Sequence, residues 1–124
     1  MKLDVSLIRS ILLEVERFDD GSPQPREVEV TGYDRLVVSY HVHVLAEAGY
    51  LECYSLPPDD GQGPDLWLAR RLTWSGHQYL GAVRDDTVWR RTLERTGKIA
   101  GGVTLELVKA TAVAVAKQHL GLPG

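Results

Sequence analysis

From Asp4 onward the apolar residues Val5, Ile8, Ile11, Leu12 and Val15 recur three and four apart, with Arg9, Glu14 and Glu16 on the opposite side. That spacing predicts an amphipathic helix with Asp4 as its N-cap. The helix is expected to stop at Asp19-Asp20-Gly21-Ser22-Pro23, a run of turn formers. Glu27-Val28-Glu29-Val30 then alternates with period two and predicts a short strand that buries Val28 and Val30. Gly32 breaks the chain, and Asp34 is placed to cap a second helix from Arg35 to Ala48 that ends at Gly49. Its many valines would also suit a strand, but the cap, the terminal glycine and the repeat Val38, Val42, Leu45, Ala48 favour a helix.

After Gly49, the segments 50–54 and 66–72 read as two strands joined by the Pro- and Gly-rich stretch 55–65, which makes a hairpin. Thr73 is placed to cap a helix that starts at Trp74 and turns Tyr79, Leu80 and Val83 inward. Asp85-Asp86-Thr87 is placed to interrupt or kink that helix, with Asp86 the expected cap of a fresh helix carrying Val88, Trp89 and Leu93, and a helix continuing through residues 85–96 stays open. Gly97, Gly101 and Gly102 mark a break. A last helix is predicted from about Thr104 to Leu120, with Leu107, Val108, Thr111, Ala112, Val115 and Leu120 as its apolar stripe and Gly121 and Pro123 as its end. The order of elements is that of an α+β winged-helix domain over residues 1–84, followed by a C-terminal helical extension over 85–124. That extension is expected to pack on the same domain or to form a dimer seam.

Composition narrows the class. The 124 residues are 44% hydrophobic and 25% charged, the profile of a single soluble globular domain. No apolar run approaches the ~18 residues of a membrane helix, so no membrane partner is expected. Cys53 has no second cysteine to pair with, and Met1-Lys2-Leu3-Asp4 lacks the basic start and apolar core of a secretory signal. A reducing cytoplasm is the expected compartment. The net charge of −3 conceals an asymmetry: residues 1–65 carry five Lys and Arg against thirteen Asp and Glu, or −8, and residues 66–124 carry nine against four, or +5. Because counterion release supplies much of the affinity for nucleic acid, the sign of the surface that meets a partner matters.

Two local motifs point to a family of folds. Val38-Ser39-Tyr40-His41-Val42, continuing to Leu45 and Ala48-Gly49-Tyr50-Leu51, resembles the recognition helix and following strand of ArsR-type bacterial winged-helix repressors, V-S-x-H-L-x-x-L-x-x-A-G-L. The resemblance implies that Val38, Val42, Leu45 and Ala48 point into the core and that Ser39, Tyr40, His43 and Glu47 look toward a major groove. Leu72-Thr73-Trp74-Ser75-Gly76-His77, with Leu80, is similar to the L-T-x-x-G-x-x-x-L segment that leads from the wing into the next helix of MarR-type and PadR-type regulators. As a whole the chain resembles a bacterial and prophage family defined as domain of unknown function 2513. The resemblance rests on the Met1–Asp4 start, Gly32-Tyr33, Ser39-Tyr40-His41, the 45–49 segment, Leu72-Thr73-Trp74 with Gly76-His77, and the 84–89 segment. That family carries no activity to transfer.

Two physical features count against DNA contact. Only Thr31 to Arg35 separates the expected strand from the recognition-like helix, so the supporting helix that normally crosses the phosphate backbone is missing or reduced to one turn. The expected wing holds Asp59, Asp60 and Asp65 and no positive residue. Catalytic and metal constellations are weak. His41 and His43, two apart on a helix, diverge by about 200° and cannot chelate together; His77 and His119 are remote, and His41 is expected to be half-buried. Cys53 reads as a small core residue, Gly61-Gln62-Gly63-Pro64 as a wing tip, and Asp85-Asp86 as caps. No catalytic residue, metal or cofactor is expected. Trp67, Trp74, Tyr79 and Trp89 are expected to build a core, their commonest use in a small domain, whereas an exposed pair would mark a partner surface.

The basic set Arg84, Arg90, Arg91, Arg95 and Lys98 suits, in descending order of weight, a solvated face, a phosphate patch, or a surface that neutralises the acidic half of another copy. Two functions compete. In the first, a DNA-binding regulator of a bacterial or prophage system uses Ser39, Tyr40 and His43 on base edges and Arg35, Arg84, Arg90 and Arg91 on the phosphates of double-stranded DNA. In the second, a protein-interaction module on a winged-helix scaffold uses its acidic N-terminal half to bind a basic protein partner or another protomer. A homodimer through the last helix is compatible with both.

Overall fold

A computed structural model describes residues 1–97 and 103–122. Among them are five helices and a two-stranded antiparallel sheet: α1 (Val5–Phe18), α2 (Arg35–Glu47), β1 (Leu51–Leu56), β2 (Leu66–Leu72), α3 (Trp74–Val83), α4 (Asp86–Thr96) and α5 (Leu105–His119). This α+β order is compatible with a winged-helix-like fold carrying C-terminal helices. Lys98, Gly101, Gly102 and Pro123 lie outside the described residues. No described helix is long and apolar enough to cross a membrane. The chain divides into two compact units, Met1–His77 and Gln78–Gly124.

In the first unit the periodic apolar positions of α1 close onto those of α2 and the sheet. Leu7, Ile8, Ile11, Leu12 and Val15 are buried, as are Val38, Val42 and Leu45 of α2 and Leu51, Ala69 and Leu72 of the strands. At roughly 1.5 to 3 kcal/mol for each buried Val, Leu or Ile, this cluster is the main driving force for the unit. Asp4 caps α1 as expected, its carboxylate accepting from the Leu7 N–H at 3.0 Å. It also ties together three segments. The Asp4 backbone N–H donates to His41 Nε2 at 3.0 Å, and the Tyr33 hydroxyl donates to Asp4 Oδ2 at 2.9 Å. His41 Nδ1 lies 2.8 Å from the Val37 carbonyl, so its proton sits on Nδ1 and Nε2 is free to accept. His41 is therefore buried outright, not half-buried.

The expected strand at Glu27–Val30 does not form, although Val28 is buried and Val30 partly so. A single bridge joins Arg26 to Ala69, with reciprocal backbone bonds of 2.8 Å, and the ladder stops there. The next donor on that edge of β2 would be the Trp67 N–H, two residues along and facing the same way. The Ser39 hydroxyl of α2 takes that N–H at 2.8 Å, which ends the third strand after one pair. On its other edge β2 pairs with β1 from Leu51↔Leu72 to Leu56↔Leu66, interrupted by a bulge at Arg70. Glu52 spans the bulge, 2.9 Å from Arg70 Nη1 and 3.2 Å from Arg71 Nε.

The end of α2 and the start of α3 fit together backbone to backbone. Gly49 takes φ +86° and lets the Tyr50 N–H reach back to the Leu45 carbonyl at 2.9 Å, which closes α2. Ala48, expected in the core, is the exposed cap residue of that closure. The Thr73 hydroxyl donates to the Gly49 carbonyl and accepts from the Gly76 N–H. A Cβ at Gly76 would stand 2.1 Å from the Tyr50 carbonyl oxygen.

In the second unit α3 ends at Val83 and a new helix follows, so residues 85–96 do not continue it. The cap of α4 is Asp85, which accepts from the Val88 N–H at 2.9 Å, and Asp86 instead lies inside the first turn. Val88, Trp89 and Thr92 of α4 are buried, together with Val108, Ala112 and Val115 of α5. Leu107 and Leu120, expected on the inner stripe of the last helix, face outward because α5 packs on α4 along its 108–112–115 edge. Of the four aromatics expected in a core, Tyr79 and Trp89 are buried, Trp67 is half-buried, and Trp74 is 76% exposed.

Three outcomes are expected. Gly76→Ala should lower the urea unfolding free energy by about 2 kcal/mol or more, because backbone must move, whereas Gly81→Ala in the same helix, with open space around its Cα, should raise it by about 0.5 kcal/mol. The Asp4 carboxyl is pushed up by burial but held below its ordinary value by the Leu7 N–H, the Tyr33 hydroxyl and the Ser6 N–H. A carboxyl with a depressed folded-state pKa stabilises above its unfolded value and loses that contribution as pH falls through the folded one. The stability gap between the native protein and Asp4→Asn should therefore be full near neutrality and close below about pH 4, read by urea unfolding across pH.

Candidate interaction face on α2 and the hairpin

The outward side of α2 begins with an arginine that is already engaged. Arg35 donates through Nε and Nη2 to the two carboxylate oxygens of Glu27 at 2.8 and 2.7 Å, and this pairing raises the guanidinium pKa. A phosphate would have to displace a bidentate carboxylate to reach it. Ser39, expected to face a groove, is 4% exposed and spends its hydroxyl on Trp67. It lies on the flank of α2 that β2 covers, which removes it from any set of base-contacting residues. Tyr40 is 38% exposed, and His43 is half-buried.

His43 lies flat on Trp67, with ring centroids 3.8 Å apart and planes 2° from parallel. Its Nε2 is 3.5 Å from the Glu47 carboxylate one turn further on. The stack and the carboxylate fix the imidazole against the hairpin. Beside it, Met1, Leu36, Tyr40, Pro64, Asp65 and Trp67 enclose a mainly apolar cavity of about 280 Å³. Leu36 is 49% exposed on its rim. A second hollow of about 300 Å³ continues from Leu36 and Pro64 toward Leu56, Pro57 and Asp59. The charges of this face are mostly acidic: Asp65 lines the first hollow, Asp59 lines the second, and Glu47 stands beside His43, while Arg35, on the second hollow, is neutralised by Glu27.

The remaining residues with expected phosphate contacts, Arg84, Arg90 and Arg91, belong to the second unit, where all three are exposed. The two groups of sequence candidates thus fall in different units, and the structure gathers only Arg35, Ser39, Tyr40 and His43 on one helix. Leu36 is the member of the face that sequence reasoning missed, and Trp67 was expected in the core, with a partner surface as the alternative. The signal for Leu36 was its place one turn before Tyr40, on the outward side of the helix. For Trp67 the residue type was the signal, but a strand offers two faces and nothing local says which one α2 will meet. Burial and then the charge of Glu47 push the Cys53 thiol pKa up, away from thiolate character.

Ser39→Ala should destabilise the protein by about 1 to 2 kcal/mol, since the Trp67 N–H loses its acceptor in a part-buried site. Urea unfolding followed by tryptophan fluorescence measures this directly.

Comparison with known proteins gives a family. Residues 2–103 match the family model described as "Hypothetical protein (DUF2513)". An uncharacterized protein of Haemophilus influenzae strain Rd is 32% identical over 120 residues, covering 97% of this chain and 99% of that protein. No solved structure matches the chain. The extent of the family match, joined by a relative of nearly equal length, places this chain in the DUF2513 family.

Proposed function

We propose that the face formed by α2 and the hairpin is a protein-docking surface, and that the protein acts by binding and not by catalysis. The partner is a polypeptide segment that inserts an aromatic or aliphatic anchor beside Leu36, Tyr40 and Trp67 and carries Lys or Arg around it. One observation carries this: where a regulator would present cations to phosphate, this helix presents an apolar hollow, and its arginine is clamped by Glu27. The first unit as a whole holds seven Lys and Arg against thirteen Asp and Glu, or −6. Such a field repels DNA and speeds encounter with a basic partner. Exposed aromatic and apolar side chains in a rimmed hollow are the usual anchors of protein interfaces.

A DNA-binding regulator is the second reading. Its support is the exposed pair Arg90 and Arg91 on α4, together with the resemblance of residues 38–51 to a recognition helix.

Selection of random 12-residue peptides on the immobilised full chain separates the two. The docking surface predicts enriched peptides with one aromatic or aliphatic anchor flanked by Lys or Arg. Their affinity should drop at least about tenfold in Leu36→Glu and stay unchanged in Arg90→Glu/Arg91→Glu. Fluorescence anisotropy with a mixed pool of duplex DNA, titrated from low to physiological salt, is the counter-test. Tight, steeply salt-dependent binding that collapses in Arg90→Glu/Arg91→Glu and survives Leu36→Glu would overturn the proposal in favour of DNA.

A further inference from the structure

The outer face of α5 is unusual for a surface helix. Its inner edge, Val108, Ala112 and Val115, is buried on the second unit, and Arg95 of α4 is hydrogen-bonded to Gln118 near its C-terminal end. The opposite edge carries Glu106, Ala110, Val113 and Lys117, all exposed. At about 100° per residue, the spacing i, i+4, i+7, i+11 keeps these four within an arc of about 60°. Leu107 and Ala114 flank the arc on one side and Leu120, 70% exposed, on the other. An acid thus stands at the N-terminal end of an apolar stripe and a base at its C-terminal end, with only alanine and valine between.

That arrangement is complementary to itself. If two copies of α5 lie antiparallel about a two-fold axis passing between Ala110 and Val113, each Ala110 meets the other copy's Val113. Each Glu106 then meets the other copy's Lys117, and Leu107 and Leu120 close the ends. Small residues at the crossing allow helix axes to approach toward the short end of the usual 8–10 Å range. A two-fold seam makes every contact twice, so one acid and one base on the stripe give two ion pairs.

We propose that α5 is a self-association surface, whose occupant is the α5 of a second copy packed antiparallel across the Glu106–Ala110–Val113–Lys117 stripe. The inference is independent of the α2 face, which lies in the other unit. A seam of one helix pair is small, so the dimer is weak and concentration-dependent.

Glu106 and Lys117 also suit the dipole of their own helix, with the acid in the first turn and the base in the last. Sedimentation equilibrium of the full chain from about 5 to 500 μM, combined with charge reversal, distinguishes the two roles. The native protein should pass from monomer to dimer across that range. Glu106→Lys places like charges across the axis and should weaken the dimer at least about tenfold. The double variant Glu106→Lys/Lys117→Glu restores opposite charges across the axis while opposing the helix dipole, and it should recover dimerisation. Val113→Asp should abolish association while circular dichroism shows the native helix content. A native chain that stays monomeric throughout would overturn the proposal. So would a dimer insensitive to Val113→Asp, or a double variant no better than Glu106→Lys.

Discussion

The first unit depends on one short residue at the head of α1. Asp4 satisfies the open end of its own helix with its carboxylate, takes the Tyr33 hydroxyl from the loop, and gives its backbone N–H to the buried His41 of α2. Helix ends leave four unmet backbone donors, and a buried imidazole needs partners for both ring nitrogens. Here the two requirements answer each other. The result fixes the angle at which α2 leaves the core, and with it the direction in which Leu36, Tyr40 and His43 are presented.

The residues that carry the family resemblance are for the most part architectural. Asp4, Tyr33 and His41 form that junction; Ser39 stops a strand by taking the Trp67 N–H; Gly49, Thr73 and Gly76 let the end of α2 and the start of α3 meet backbone to backbone. Signatures that resemble a DNA-reading helix are therefore accounted for by packing and hydrogen bonding. Of the resemblance residues only Tyr40 and Glu47 contribute to what the helix offers outward, together with Leu36 and His43. Those positions give an apolar hollow, a stacked His43 and Trp67, and an acidic surround, with Arg35 neutralised by Glu27.

Charge separates the two units in a useful way. The unit Met1–His77 carries −6, and Gln78–Gly124 holds seven Lys and Arg against four Asp and Glu, or +3. Fields of opposite sign on two units of one chain attract charged groups of opposite sign to each. The α2 face and the outer stripe of α5 are also chemically distinct, one aromatic and acid-rimmed, the other narrow, small and charge-paired end to end.

The sequence by itself determined where the helices lie and how they begin. Asp4, Asp34 and Thr73 each cap the helix expected of them, and the periods of α1 and α2 name most of the apolar residues that those two helices bury. These are local facts, written within a few residues by capping chemistry and side-chain period. The choice between Asp85 and Asp86 was less legible, because two adjacent acids offer the same cap. Tertiary structure decided the rest. Ser39 turned inward and cut the expected strand short, Leu107 and Leu120 turned outward, and Trp67 met His43. Each outcome depends on which face of one element reaches a particular atom of another, tens of residues away, and no window of local pattern contains that pairing.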